Sequence, residues 1–330
     1  GVEWRELGGV QPNPRLSLVR EGISLCREFG ASIILAVGGG SVIDSAKAIA
    51  AGVMYDGDVW DFYLGKAFPE EALPVGVVLT IAAAGSEASN ASVITNEDGW
   101  YKIGLSADCL RPKFALCNPQ LTCTVPPYQT ACGIADILAH IMERYFTPQR
   151  DVDVSDRMCE AVMIAVMENA RRVMADPNSY EARAEIMWAG TVAHNDILGA
   201  GRKGDWSSHR IEHELSAIYD IPHGAGLAIV FPAWMKYVYK HDIPRFKQFA
   251  QRVFGVADDF GDDEKIALEG IARLESFFRE IGLPVTLSEA NLPHDRFDEM
   301  AQKCASRSAN VGNYAKLTAD TVRQILELAK

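Results

Sequence analysis

Short apolar runs in the first part of the chain alternate with helical patterns. The runs lie at residues 32–37, 75–80 and 114–117. Because they lack a regular alternation of apolar and polar residues, they predict strands buried on both faces, which are typical of parallel sheets. Helical patterns at residues 16–29 and 41–51 alternate with these runs. This order predicts a doubly wound α/β layer with a parallel, Rossmann-like sheet.

The pattern changes after the prolines at positions 126 and 127. Almost no strand-like run follows, and helical patterns cover residues 130–146, 156–174, 181–197, 265–281 and 318–329. Prolines and glycines separate these patterns from one another. We therefore predict an α/β domain over residues 1–125 and an all-α domain over residues 126–330.

The composition is that of a folded, acidic protein. Hydrophobic residues make up 48% of the 330 residues, which excludes disorder as the main state. The formal net charge of −12 argues against a nucleic-acid partner. No apolar run reaches the ~18 residues of a membrane span, so no membrane association is expected. The seven cysteines include no CxxC pair, and we expect reduced thiols in the cytoplasm.

A glycine turn follows the first predicted strand. Gly38, Gly39 and Gly40 precede Ser41, which we expect to N-cap the next helix, with Asp44 three residues later. Such a turn is either a pyrophosphate cradle for a dinucleotide or an ordinary strand–helix turn, since the GxGxxG pattern lacks its third glycine. A second loop at residues 80–92, rich in Thr, Ser and Asn, follows the next strand and favours the nucleotide interpretation.

Histidines and one aspartate form the candidate metal site. Asp136 and His140 lie four residues apart on a predicted helix, and three of the seven histidines, His209, His213 and His223, fall within fifteen positions. Such a set suits a divalent transition metal. Spacing alone does not determine which of these residues are the ligands. For any single Asp or His, a position on a solvated polar face is the alternative. The isolated histidines at positions 194, 241 and 294 are expected to be structural or exposed.

Four segments in order resemble the iron-containing, or group III, alcohol dehydrogenases. They are residues 35–50 (LAVGGGSVIDSAKAIA), 80–95 (TIAAAGSEASNASVIT), 133–145 (GIADILAHIMERY) and 209–226 (HRIEHELSAIYDIPHGAG). The resemblance covers essentially the whole chain and points to the NADPH-dependent butanol dehydrogenase branch. It implies a dehydroquinate synthase-like fold: a dinucleotide-binding α/β domain, a helical metal-binding domain, and the metal in the cleft between them.

The resemblance also implies roles for individual residues. It assigns the metal to Asp136, His140, His209 and His223, and it leaves His213 near the nicotinamide as the candidate for proton transfer. The residues that it matches to cofactor contacts are Gly39, Gly40 and Ser41 with the nearby Asp44, then Thr80, Ser86 and Ser89, then Lys102 at the ribose, and Leu121 and Thr122 beside the cofactor.

The implied reaction is reversible hydride transfer between NAD(P)(H) and a primary alcohol or aldehyde such as butanol or butanal. The expected metal is Fe²⁺, with Zn²⁺, Mn²⁺ or Co²⁺ as alternatives. NADP(H) is expected in preference to NAD(H), and the enzyme is expected to be a homodimer. Two other functions stay open at this point: a metal-dependent lyase of the dehydroquinate synthase type, and a truncated relic that binds metal without catalysis.

Members of that family carry a longer N-terminal segment, which holds the first strands of the nucleotide domain. A sheet without those strands exposes an unpaired edge. We therefore expect the chain as written to be poorly soluble and to bind dinucleotide weakly, while the helical metal domain persists.

Overall fold

Parallel strands and a separate hairpin make up the β-structure of the chain. The computed structural model describes residues 1–306 and 310–330. Within these residues the strands are β1 (Ile34–Gly38), β2 (Val75–Leu79), β3 (Ala91–Asn96), β4 (Tyr101–Ser106) and β5 (Phe114–Leu116). The first sheet has the order β1-β2-β5 and is parallel throughout, with Ile34 paired to Val75 and Gly76 paired to Phe114. The three predicted strands and their parallel arrangement are thus confirmed.

One face of this sheet is covered by helices. The helices of this part are α1 (Leu16–Phe29), α2 (Gly40–Val53) and the short α3 (Trp60–Tyr63). Ala36 and Val77 pack with Ile43 and Ala46 of α2 and with Met187 from the helical part. This packing orients α2 with its N-terminus at the carboxyl edge of the sheet.

The other face of the sheet is open in the described residues. Leu35 and Val37 of β1 are 55% and 57% exposed, and Leu116 of β5 is 58% exposed. The expectation that all three runs are buried on both faces is therefore wrong for β1 and β5. A continuous apolar run specifies a strand, but whether another layer covers its second face depends on the rest of the fold.

The hairpin of β3 and β4 was not predicted from the sequence. Its strands pair antiparallel from Ala91 with Ser106 to Asn96 with Tyr101, and Gly99 adopts a φ of +81° in the turn. The Asp98-Gly99 pair between two alternating segments is the sequence feature that indicates such a hairpin. The hairpin carries Lys102 toward the helical part of the chain.

Helices make up the remainder of the described chain. They are α4 (Pro127–Tyr145), α5 (Asp153–Ala175), α6 (Tyr180–His194), α7 (Ser207–Tyr219), α8 (His223–Val238), α9 (Ile243–Phe254), α10 (Asp263–Glu280), α11 (Phe297–Ala305) and α12 (Ala319–Leu328). The predicted fold class, a parallel sheet followed by an all-α part, is confirmed, whereas the boundary at residues 125 and 126 stays a prediction. In the described residues no helix is both long and apolar enough to cross a membrane.

Helix α4 lies at the centre of the helical part. Every residue from Thr130 to Tyr145 is buried, so its polar positions do not form a solvated face. Helix α8 approaches α4 backbone to backbone: a Cβ atom built on Gly224 would lie 1.9 Å from the carbonyl oxygen of Cys132. This contact requires glycine and brings the start of α8, which is His223, beside the polar residues of α4.

Candidate functional site

A cavity of about 850 Å³ lies between the sheet and the helices. Residues 10–14, the N-terminus of α2 and the loop after β2 line one side, and α4, α7 and the start of α8 line the other. Because β1 and β2 are parallel, the segments that follow them meet at one edge of the sheet, where α/β proteins bind ligands. Both the glycine turn and the candidate metal residues therefore border the same space.

Three of the predicted metal ligands converge at this cavity. The ligand atoms of Asp136, His209 and His223 all lie within 4.8 Å of one another. Asp136 Oδ1 is 3.9 Å from His209 Nε2 and 3.8 Å from His223 Nε2. Although they come from three separate helices, these atoms point at one another, as the ligands of one ion do.

The buried polar atoms of this cluster fit a cation. Within the described part of the chain, His209 Nε2 is buried and makes no hydrogen bond, and Asp136 Oδ1 is buried with His140 Nδ1 at 2.9 Å as its nearest polar contact. Buried polar atoms without partners are rare in folded proteins, because each costs about 1–3 kcal/mol. A divalent ion between His209 Nε2 and Asp136 Oδ1 would bind both atoms, so the donor set fits the metal that the sequence resemblance implies.

His140 lies beside this cluster and is not part of its closest group. Its Nδ1 is 2.9 Å from the carbonyl oxygen of Asp136 and 2.9 Å from Asp136 Oδ1. The imidazole ring centroids of His140 and His209 are 4.6 Å apart. Since Nδ1 faces the backbone of its own helix, Nε2 is the nitrogen left for a ligand. Whether His140 is the fourth ligand stays a prediction.

The protonation states of the cluster suit metal binding. Burial lowers the pKa of His209 to about 4, against the opposing hydrogen bond to Glu143, so its imidazole is neutral near pH 7. Burial acts to raise the pKa of Asp136, but the neighbouring imidazoles of His140, His223 and His209 hold it below its ordinary value. A neutral imidazole and an ionised carboxylate are the forms that bind a cation.

Two buried carboxylates next to the cluster were not identified from the sequence. Glu143 Oε1 accepts hydrogen bonds from His209 Nδ1 at 2.7 Å and from the His209 amide at 3.1 Å. Glu212 Oε2 accepts from His223 Nδ1 and from Lys102 Nζ, the latter at 3.4 Å. The spacing of 136, 140 and 143 on one helix places Glu143 on the same face as the predicted ligands, and this pattern could have revealed it.

His213 faces the cavity next to His223. The centroids of the two imidazole rings are 5.6 Å apart, and His213, Glu212 and His223 form a second group whose possible ligand atoms lie within 4.8 Å. Glu212 already accepts hydrogen bonds from three side chains, so the group around Asp136, in which His209 Nε2 is buried without a partner, is the better metal site. The role of His213 in proton transfer stays a prediction.

The glycine turn borders the cavity at the start of α2. The N-cap of this helix is Gly39 and no side chain caps it, so the expectation that Ser41 is the N-cap is wrong. The N-cap lies two residues earlier than expected, so Gly40 is the first helical residue and Ser41 lies inside the first turn. A Cβ atom on Gly39 would lie 2.1 Å from Ile81 Cγ2, which explains why glycine stands there. Gly39, Gly40 and Ser41 all line the cavity.

The second loop is held by Lys47, another residue that sequence reasoning missed. Its ammonium donates to the carbonyl oxygens of Ser86, Ser89 and Ala91 at 2.7, 2.9 and 2.8 Å. The Ser86 hydroxyl in turn donates to Asp44 Oδ1 at 2.6 Å. Asp44, Ser86 and Ser89 line the cavity, and their side chains also bond within the protein, so their contacts with a cofactor stay predictions.

The other predicted cofactor residues differ in position. Lys102 lines the cavity, and its ammonium contacts Asn13 Oδ1 at 3.0 Å and Glu212. Thr80, Leu121 and Thr122 are absent from the cavity wall, as far as the described residues define it. The Thr122 hydroxyl instead donates to the carbonyl oxygen of Pro119 at 2.7 Å. Their contacts with a cofactor stay predictions.

His194 lies against His140 and lines the cavity, so it is not exposed, and the expectation that its role is structural stays a prediction. Its ring centroid is 4.3 Å from that of His140, and Arg144 Nη2 donates to its Nδ1 at 3.3 Å. Burial and the charges of His140 and Arg144 keep its pKa well below the ordinary value. An isolated histidine carries no spacing pattern, so only the tertiary fold reveals this position. The histidines at 241 and 294 are exposed, as expected.

Comparisons with known proteins identify the family and the relatives of this chain. The family model described as "Iron-containing alcohol dehydrogenase" matches residues 1–119, and the model of the C-terminal part of the Fe-containing alcohol dehydrogenase family matches residues 130–330. A probable NADH-dependent butanol dehydrogenase 1 of Bacillus subtilis is 44% identical over 99% of this chain and 84% of its own length. The NADPH-dependent aldehyde reductase YqhD of Escherichia coli is 34% identical over 100% of this chain and 86% of its own length.

A solved structure has the same fold. The crystal structure of NADH-dependent butanol dehydrogenase A from Thermotoga maritima superposes with a TM-score of 0.96 at 42% identity, covering 100% of this chain and 84% of that one. These matches favour a dehydrogenase over the lyase and over the non-catalytic relic considered from the sequence.

Proposed function

The chain belongs to the iron-containing alcohol dehydrogenase family, and we propose that it interconverts short primary alcohols, such as butanol, and their aldehydes. It is an NAD(P)-dependent oxidoreductase of the alcohol dehydrogenase and aldehyde reductase type. The observation that carries the proposal is the convergence of Asp136, His209 and His223, with His209 Nε2 buried and unpartnered, at the cavity that the glycine turn also borders.

We propose that Asp136, His140, His209 and His223 hold the metal, with Fe²⁺ as the first candidate and Zn²⁺, Mn²⁺ and Co²⁺ as alternatives. When bound, the cation supplies Lewis-acid polarisation of a substrate oxygen, and the nicotinamide supplies or accepts hydride. The family description names iron, and one carboxylate with several imidazoles is a donor set that also accepts the other three cations.

The residues of the chain would bind the cofactor, orient the substrate and transfer a proton. The N-terminus of α2 at Gly39 and Gly40 offers amide N–H groups to the cofactor pyrophosphate. His213 faces the cavity beside His223, where its imidazole would exchange the hydroxyl proton of the substrate, because imidazole titrates near neutral pH. The apolar residues Ile81 and Cys132 line the same cavity and suit an unbranched aliphatic substrate.

The cofactor preference expected from the sequence is NADPH over NADH, and it stays a prediction. The Bacillus subtilis relative is named NADH-dependent and the Escherichia coli relative NADPH-dependent. The measurement is kcat/KM for butanal reduction with each cofactor at saturating metal. Equal or better turnover with NADH would overturn the preference.

The proposed function is tested by elemental analysis of the purified protein together with NAD(P)H-linked reduction of butanal. We expect close to one divalent ion per chain and aldehyde-dependent oxidation of the cofactor. Asp136→Ala should lose both, while the exposed Asp153→Ala serves as the matched control and should keep both. A wild-type protein that carries the metal and reduces no aldehyde with either cofactor would refute the proposed reaction.

Two further expectations from the sequence are proposals here. We propose a homodimer, which light scattering coupled to gel filtration would test. We also propose a cytoplasmic location, which fits seven cysteines that all lack disulfide bonds. Fractionation of the source cells would test it.

A further inference from the structure

We propose that Glu143 and Glu212 are positioning residues that hold His209 and His223 with their Nε2 atoms directed at Asp136. The inference rests on the proposed function, because it concerns the residues proposed to hold the metal. Neither carboxylate belongs to the predicted ligand set, and each sits directly behind one of the histidines.

Glu143 is a buried side chain whose carboxylate accepts several hydrogen bonds. It is 1% exposed and projects from α4, seven residues after Asp136 and three after His140. Its carboxylate accepts from the amide groups of Trp206 and His209, from the Ser208 hydroxyl and from His209 Nδ1. Donors from Trp206, Ser208 and His209 at the start of α7 thus converge on one side chain, which fixes His209 relative to α4.

Glu212 does the same for His223 from a different helix. Its side chain is fully buried on α7, and it accepts from His223 Nδ1, the Ser216 hydroxyl and Lys102 Nζ. His223 is the first residue of α8 and directly follows the N-cap residue Pro222. Its ring is about a quarter exposed, and its Nδ1 has two polar contacts, Glu212 Oε2 and Lys102 Nζ, of which Glu212 is the closer.

The hydrogen bonds determine which nitrogen of each ring is available. An ionised carboxylate only accepts hydrogen bonds, so an Nδ1 that is bonded to it carries the proton. His223 Nδ1 also lies 3.2 Å from Lys102 Nζ, which can only donate, and we assign the Nδ1 proton to the shorter contact with Glu212. A neutral imidazole has one proton, and Nε2 is then left with its lone pair. Both Nε2 atoms lie at nearly equal distances from the same oxygen, 3.9 Å for His209 and 3.8 Å for His223 from Asp136 Oδ1. The two carboxylates therefore set both the tautomer and the direction of the proposed ligands.

The first test measures the tautomers directly in the metal-free wild-type protein. With ¹⁵N-labelled histidine, two-bond correlation spectra distinguish a ring protonated at Nδ1 from one protonated at Nε2. We expect His209 and His223, assigned by their His→Gln variants, to be protonated at Nδ1. Finding either ring protonated mainly at Nε2 would overturn the proposal, and this result does not depend on any catalytic activity.

The second test uses Glu143→Gln and Glu212→Gln with Co²⁺ as the probe. Each variant should bind Co²⁺ about 10–100-fold more weakly in chelator competition, with an altered visible spectrum of the bound ion. Glu160→Gln is the matched control, because Glu160 is equally buried but bonds to Tyr145 rather than to a proposed ligand. Its Co²⁺ affinity should equal that of the wild type.

The outcomes separate this inference from the proposed function. Variants that fold and bind Co²⁺ as tightly as the wild type would refute the positioning role. A wild type that binds no divalent cation would refute the proposed metal site, while the tautomer measurement would still decide whether the carboxylates orient the rings. If a variant does not fold, the wild-type tautomers alone decide the question.

Discussion

Replacing Lys47 with methionine should strongly destabilise the nucleotide-binding part of the chain. The side chain is fully buried, and the three N–H groups of its ammonium face three backbone carbonyls at 2.7, 2.9 and 2.8 Å, with the hydroxyls of Ser86 and Ser89 farther away at 3.0 and 3.3 Å. Methionine retains the volume of the stem and removes the charge and the donors, so the effect isolates the polar contacts from the packing.

The magnitude follows from the groups left without partners. Each buried carbonyl that loses its donor costs about 1–3 kcal/mol, and some regain a partner when water enters. Asp44, whose carboxyl is also buried, loses a nearby positive charge. Removing one member of such a buried arrangement costs about 3–5 kcal/mol. We therefore expect Lys47→Met to lower the free energy of unfolding by about 4 kcal/mol.

Urea denaturation followed by circular dichroism measures this difference, with Lys66→Met as the control. The Lys66 side chain is 65% exposed and pairs with Asp61 at 3.5 Å, so its loss should cost less than about 1 kcal/mol. Nicotinamide fluorescence should also report at least about tenfold weaker cofactor binding, because the loop that Lys47 holds lines the cavity. If Lys47→Met unfolds within about 1 kcal/mol of Lys66→Met, Lys47 does not hold this loop.

Three further predictions address the site and the packing that builds it. His223→Ala should lose the metal and activity, whereas His213→Ala should keep the metal and lose mainly kcat; an empty site in His213→Ala would contradict this division of roles. Gly224→Ala should destabilise the protein by about 3 kcal/mol and weaken metal binding, because its Cβ would overlap the Cys132 carbonyl. Thermal denaturation measures the loss of stability. Gly8→Ala is the control and should be neutral, because the space around Gly8 is open. Butanal reduction should be faster with NADPH than with NADH, as measured by initial rates at equal cofactor concentrations.

Elements with a strong local pattern could be predicted from the sequence. The pattern at residues 16–29 coincides with α1, whose apolar positions recur with helical spacing and whose end is marked by Gly30 in a left-handed conformation. The spacing of Asp136 and His140 correctly placed both on one helix. These features depend on contacts within a few turns, which the order of residues specifies directly.

Features that depend on distant contacts could not be predicted in this way. The burial of α4 on all sides follows from its packing against α5, α6 and α8, which come later in the chain, and no periodicity within α4 encodes it. The open face of β1 and the position of His194 beside His140 likewise depend on which elements pack together. The resemblance to a family supplied the candidate ligands, and the structure added the carboxylates that surround them.

The buried ion pair between Lys102 and Glu212 bears on whether the two parts of the chain are separable modules. All four proposed ligands lie after residue 126, so a fragment starting there would retain every one of them. That fragment would lack Lys102 and also Asn13, whose amide donates to Asp220 and to the carbonyl oxygen of Ile221. The Glu212 carboxylate would then lie beside His223 without the Lys102 ammonium, and a buried charge without its partner lowers the stability of the fold. Swapping the nucleotide-binding part for that of another protein would therefore disturb the helical half unless a lysine were supplied at the position of Lys102.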